Sequence, residues 1–188
     1  MNLVIFGPPG AGKGTQSKFI VKKFNMFQLS TGEFLRKEMS KNTSIGKKIS
    51  SVINSGALVS DKIVSDLIEK IISDKQYQNR IIFDGYPRNL NQAKNLDNLL
   101  KKYKQKIDIV LKLSVSLETI KKRISERRGL EKRSDDNEEI AIRRFETYEK
   151  STEPVIEYYK KLNLLKVIDG ERSIKQINKE ISDIIDFI

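Results

Sequence analysis

Leu3-Val4-Ile5-Phe6-Gly7-Pro8-Pro9-Gly10-Ala11-Gly12-Lys13-Gly14-Thr15 is the stretch on which the fold turns. Four apolar residues in a row, without polar alternation, suit a strand buried on both faces. Beyond the glycine-rich turn, Phe19, Ile20 and Phe24 recur at helical spacing, so strand, loop and helix follow one another. Residues 7–15 fit the GxxxxGK spacing of a phosphate-binding loop, in the strand-to-helix setting that such a loop requires. Its glycines let backbone N–H groups turn inward around a phosphate. The helix start adds partial positive charge, and Lys13 reaches the outer phosphates. Gly14 stands where the pattern usually has Ser or Thr, and Thr15 follows one place later, a departure that bears on whether a hydroxyl ligates Mg2+ directly.

Outward from this unit, further buried strands are expected at 27–29, 80–83, 107–113 and 165–168, separated by segments of helical patterning. Five strands alternating with helices imply an α/β fold of three layers, a five-stranded parallel sheet covered on both sides. Residues 30–59 break the pattern with short helical pieces, Gly46 and Gly56, many Ser and Lys, and little apolar content, which reads as a small helical insertion. Residues 127–134 read as a brief charged loop between two helices, the second starting with a capping-box-like Asp135 and Glu138.

Composition bounds the chemistry. With 188 residues and 38% hydrophobic content the chain supports one domain, 1–188, with small appended pieces. There is no Cys and no His, so catalysis must rest on Lys, Arg, Asp, Glu and backbone groups, and disulfides and thiolate metal sites are ruled out. The apolar start is too short for a signal peptide or a membrane span, so a cytoplasmic protein without a membrane partner is expected. The net charge of +11 points to polyanion partners. Between residues 101 and 133, twelve Lys and Arg face four Asp and Glu, which concentrates most of that charge; the stretch serves equally well as a solvated face.

Residues 7–15 resemble the loop of the nucleoside monophosphate kinases, Gly-x-Pro-Gly-x-Gly-Lys-Gly-Thr. Phe83-Asp84-Gly85-Tyr86-Pro87-Arg88, followed by Asn89-Leu90-Asn91-Gln92, is similar to the signature of the adenylate kinase family. Asp84 at a strand's carboxyl end can hold water on Mg2+, Gly85 permits close backbone approach, and Arg88 can clamp a phosphate as a fork. Ser30-Thr31-Gly32-Glu33-Phe34-Leu35-Arg36 resembles the family's lead into its monophosphate-binding subdomain. The resemblance implies that Gly10, Ala11, Gly12, Lys13, Gly14 and Thr15 hold ATP. It assigns AMP to Thr31, Arg36, Ala57, Leu58 and Val59 and to Gly85, Tyr86, Pro87 and Arg88, with Gln92 reading the base edge. Taken singly, Thr31 also suits a helix N-cap and Arg36 a surface charge.

Arg123 and Arg127, four apart, share one face of a helix. The resemblance assigns Arg123, Arg127, Arg133 and Arg144 to the phosphates being exchanged, Arg133 and Arg144 spanning donor and acceptor, and sets Arg172 in the loop facing the ATP adenine. Charge neutralisation by placed arginines suits phosphoryl transfer, which needs little proton chemistry. The implied enzyme transfers phosphoryl from Mg-ATP to AMP, as a monomer with a short lid and no zinc. Two rivals remain. A UMP/CMP kinase is one, although those similar enzymes carry Ala and Asn where this chain has Thr31 and Gln92. A nucleic-acid binder is the other; the basic stretch 101–133 has only Tyr103 as a stacking platform, so no nucleic-acid partner is expected.

Overall fold

A run of four apolar residues is stable only if both of its faces are covered, and Leu3–Phe6 lies at the centre of a sheet where that is so. The structure, a computed structural model, describes residues 1–40, 44–55, 58–131 and 138–188. The elements run β1 (Leu3–Phe6), α1 (Lys13–Phe24), β2 (Phe27–Ser30), α2 (Thr31–Met39), α3 (Ser44–Asn54) and α4 (Asp61–Ser73). A 3-10 turn at Lys75–Tyr77 leads to β3 (Ile81–Asp84), α5 (Leu90–Lys102), β4 (Ile109–Ser114), α6 (Leu117–Glu131), α7 (Glu138–Lys161), β5 (Leu165–Asp169) and α8 (Ile174–Asp186). The strand order is β2-β3-β1-β4-β5, and all neighbours are parallel. Leu3 pairs with Ile82 on one side and Ile109 on the other.

Successive side chains divide between the two faces. Val4, Phe6, Ile81, Phe83 and Val110 join one cluster with residues of α4, α5 and α7; Leu3, Ile5, Ile82, Ile109 and Leu111 join another with α1 and α8. The helix after β1 therefore leaves on one face and the helix after β3 on the other. Their divergence opens a crevice at the carboxyl ends of these two neighbouring strands, where open α/β sheets bind ligands.

Five parallel strands agree with the expectation, with two qualifications. Residues 27–29 and 165–168 do not form strands buried on both faces, because β2 and β5 are the sheet's edges; Val167, for example, is 57% exposed. The inserted helices are also less polar in effect than their composition. Leu35 on α2 and Ile49 on α3 are buried in the same cluster as β1, with Met39, Val52 and Ile53 packed against it. A third correction concerns the loop expected at 127–134: α6 continues through Glu131, so Arg127 is helical. The capping box at Asp135 lies outside the described residues. No described helix is long and apolar enough to cross a membrane.

Candidate active site

The phosphate loop is held by its packing. Gly10 and Gly12 take φ of 86° and 96°, and a Cβ on Gly10 would lie 3.2 Å from Ile124 Cγ1 and 3.3 Å from Ile120 Cγ2, so the loop rests directly on α6. Gly12 is the residue before α1 and offers no side-chain cap, which leaves the N–H groups of the helix start available to an anion. Lys13 folds back over the loop, its Nζ donating to Gly7 O at 2.7 Å and Pro8 O at 3.0 Å. Burial pushes its ammonium down to about 8; Asp84 opposes that shift, and Arg88, Arg144 and Arg127 add to it.

At the end of β3, Asp84 is nearly buried and accepts from Gln28 Nε2 at 2.9 Å through Oδ2. Gly85 has φ of 78°, and a Cβ there would come within 3.0 Å of both Arg88 Nη2 and Thr31 Oγ1. Its carbonyl gathers these two side chains: Thr31 Oγ1 donates at 2.9 Å and Arg88 Nε at 2.7 Å. Thr31 is thus fixed to β3, and Thr152 on α7 donates to Arg88 O at 3.0 Å. On α6, Arg123 donates to Ala11 O at 3.3 Å and to Gly170 O at 2.8 Å, joining the phosphate loop to the loop after β5.

Two chambers result. The first is lined by Gly10, Ala11, Gly12, Lys13, Gly14 and Thr15, with Asp84, Arg123, Arg127 and Arg172 around them. The second is lined by Thr31, Leu58, Val59, Pro87 and Gln92, and its apolar wall of Leu35, Ile53 and Val64 suits a base. Lys13, Arg36, Gly85, Arg88 and Arg144 line both, so the chambers meet at a cluster of cations. Arg172 also pairs with Asp169 and Glu180. Ala57 and Arg133 lie outside the described residues.

The Tyr86 side chain is 1% exposed and packs in the core, its hydroxyl donating to Gln92 O at 3.2 Å, so its ring supports the second chamber from behind. Sequence reasoning missed the apolar wall, Gln28 behind Asp84, and a network around Gln92. Asn89 caps α5, its Oδ1 accepting from Gln92 N at 2.8 Å. Asn89-x-x-Gln92 has capping-box spacing, a signal that could have found it.

No cluster of three or more His, Cys, Asp or Glu able to hold a metal occurs among the described residues. One carboxylate, Asp84, beside a phosphate loop nevertheless fits Mg2+, which keeps several waters and takes most of its other ligands from substrate phosphates.

A phosphate loop after β1, a carboxylate ending β3, and two chambers sharing their cations define a P-loop phosphotransferase that brings two phosphorylated substrates together. Residues 5–164 match the family model for adenylate kinase. The adenylate kinase of Pelagibacter ubique is 44% identical, over 98% of this chain and 99% of its own length. That of Caulobacter sp. is 41% identical over 94% of each chain, and that of Bartonella henselae 38% identical over 98% of this chain and all of its own. The chain belongs to the adenylate kinase family, enzymes that transfer phosphoryl groups between adenine nucleotides.

Proposed function

We propose that the enzyme binds Mg-ATP in the first chamber and AMP in the second, and moves the γ-phosphoryl group across the cations that the chambers share. That sharing, of Lys13, Arg36, Arg88 and Arg144, is the observation that carries the assignment. An oxygen of the AMP phosphate attacks Pγ as the bond to the β,γ-bridging oxygen breaks, the electron pair leaving with ADP. The attacking phosphate is already anionic, so no general base is required. The helix start at α1 and Lys13 hold the donor phosphates, with Gly14 and Thr15 alongside. Arg88 and Arg36 hold the acceptor, and Arg123, Arg127, Arg133 and Arg144 offset the charge spread over the transferred group. When bound, Mg2+ neutralises and orients the ATP oxygens, and Asp84 would hold it through water.

In this reading residues 30–59 form the AMP-binding subdomain, Thr31, Ala57, Leu58 and Val59 contribute to the AMP site, and Gln92 reads the adenine edge. Residues 127–134 belong to a short lid over ATP, where Arg172 faces the adenine. In the same reading the enzyme works as a monomer in the cytoplasm, on small nucleotides and without nucleic-acid partners. ADP formation from ATP with AMP, CMP, UMP and GMP, compared side by side, tests the assignment. AMP should be strongly preferred; equal use of CMP or UMP would overturn it in favour of a broader monophosphate kinase.

A further inference from the structure

Gln92 is 4% exposed, and both ends of its amide are engaged. Oε1 accepts from the backbone N–H of Arg88 at 2.7 Å, and Nε2 donates to Asp61 Oδ1 at 2.6 Å. Asp61, the first residue of α4, also receives Asn89 Nδ2 at 3.1 and 3.4 Å. Asn89 has no choice of orientation, because its Oδ1 caps α5. We propose that Asp61 locks the polarity of the Gln92 amide, so that the acceptor chamber takes a 6-aminopurine monophosphate and refuses a 6-oxopurine one.

The argument is one of donors and acceptors. An ionised carboxylate only accepts, and a backbone N–H only donates. Turning the Gln92 amide over would set Nε2 against the Arg88 N–H and Oε1 against the Asp61 carboxylate, so both hydrogen bonds would become repulsive contacts. A primary amide has two hydrogens and two acceptor sites. The protein uses one of each, which leaves a single acceptor on the Arg88 side and a single donor on the Asp61 side. Adenine offers the complement, the amino group at C6 as donor and N1 as acceptor. Hypoxanthine reverses the pattern, with O6 accepting and N1–H donating, and would require the amide in its forbidden orientation. Asp61 makes no contact with the nucleotide in this scheme; it is a positioning residue. The inference rests on the reading of Gln92 as the group that meets the base edge.

Asp61→Asn keeps the size of the side chain but can donate as well as accept, which removes the lock on that side. With AMP and IMP as acceptors, the ratio of their kcat/KM values should fall about tenfold, the ordinary effect of one mispaired hydrogen bond at a buried site. Dissociation constants for AMP and IMP from calorimetry should converge likewise, while KM for ATP and the melting temperature stay near wild type. Asp61→Ala, which removes the acceptor altogether, should also narrow the ratio and guards against a defect peculiar to the asparagine. Gln92→Ala is the control. If it leaves the AMP-to-IMP ratio unchanged, the reading of Gln92 is wrong and the lock falls with it. If Gln92→Ala collapses the ratio while both Asp61 variants keep it, the lock alone is overturned.

Discussion

Lys13 sits where charge is most needed and hardest to keep. Two loop carbonyls accept from its ammonium, yet burial and the nearby arginines hold it to about 8, against an ordinary value of 10.5. The free enzyme should therefore lose its protonated lysine as pH rises through 8, and kcat/KM for ATP should decline above that point by about tenfold per pH unit. Stability should move the other way. Between pH 8 and 10.5 the unfolded chain binds the proton that the folded chain has released, so unfolding becomes less favourable as pH rises across that window. Lys13→Met should abolish most turnover, erase the rise in melting temperature between pH 8 and 10.5, and melt no lower than wild type at pH 7. Thermal melts and a pH–rate profile check all three, and a folded Lys13→Met enzyme with normal turnover would refute the phosphate-loop role. At this scale the walls of the chambers were legible where they come from contiguous motifs, as at residues 7–15 and 83–88. It was illegible where the partner is distant in sequence: Asp61 meets Gln92 across 31 positions and Gln28 meets Asp84 across 56, and neither carries a local signal. Nor does the motif around Tyr86 carry a signal that its ring is core.

At the level of elements, helices form where tertiary anchoring adds to local preference. α6 passes through Gly129, a residue that disfavours a helix interior by about 1 kcal/mol relative to Ala. Its earlier turns are fixed by Ile120 and Ile124, buried against the phosphate loop, and by Arg123 on two backbone carbonyls. Local reading saw the charge and the glycine and expected a loop; the anchoring that extends the helix lies over 100 residues away, at Gly10 and Ala11. α8 shows the opposite case, a helix whose local signals are complete. Ser173 and Gln176 form a reciprocal capping box, and Ile177, Ile181 and Ile185 bury one face against the sheet. Ser173→Ala should cost about 1 kcal/mol, lowering the melting temperature by roughly 2–4 °C, with kcat unchanged. A change in kcat would mean that α8 is coupled to the chemistry through Arg172.

Across the whole molecule, the two ends of the sheet have different work. The carboxyl ends carry the reaction, while the amino ends are tied together by Asn2, which is wholly buried. Its side chain accepts from Ile81 N at 3.2 Å and donates to Gln105 Oε1 at 3.1 Å and Lys106 O at 3.0 Å, and its backbone N–H donates to Asp108 Oδ2 at 2.7 Å. One side chain thus joins the starts of β1, β3 and the turn before β4. Asn2→Ala leaves the buried N–H of Ile81 unpaired and should destabilise the protein by about 1–3 kcal/mol, read from the denaturant midpoint, with KM for both nucleotides unaffected. The central position of β1 has a further consequence, in time. Among the strands β1 leaves the ribosome first, but Leu3 pairs with Ile82 and Ile109, and at 5–20 residues per second roughly 4–16 s separate Leu3 from Ile82. Its second face waits longer still, for Ile177, Ile181 and Ile185 at the far end of the chain. Until those partners are made, Leu3–Phe6 is an apolar segment with no sheet to enter. A chain halted before residue 174 lacks α8, and leaves that face covered by α1 alone.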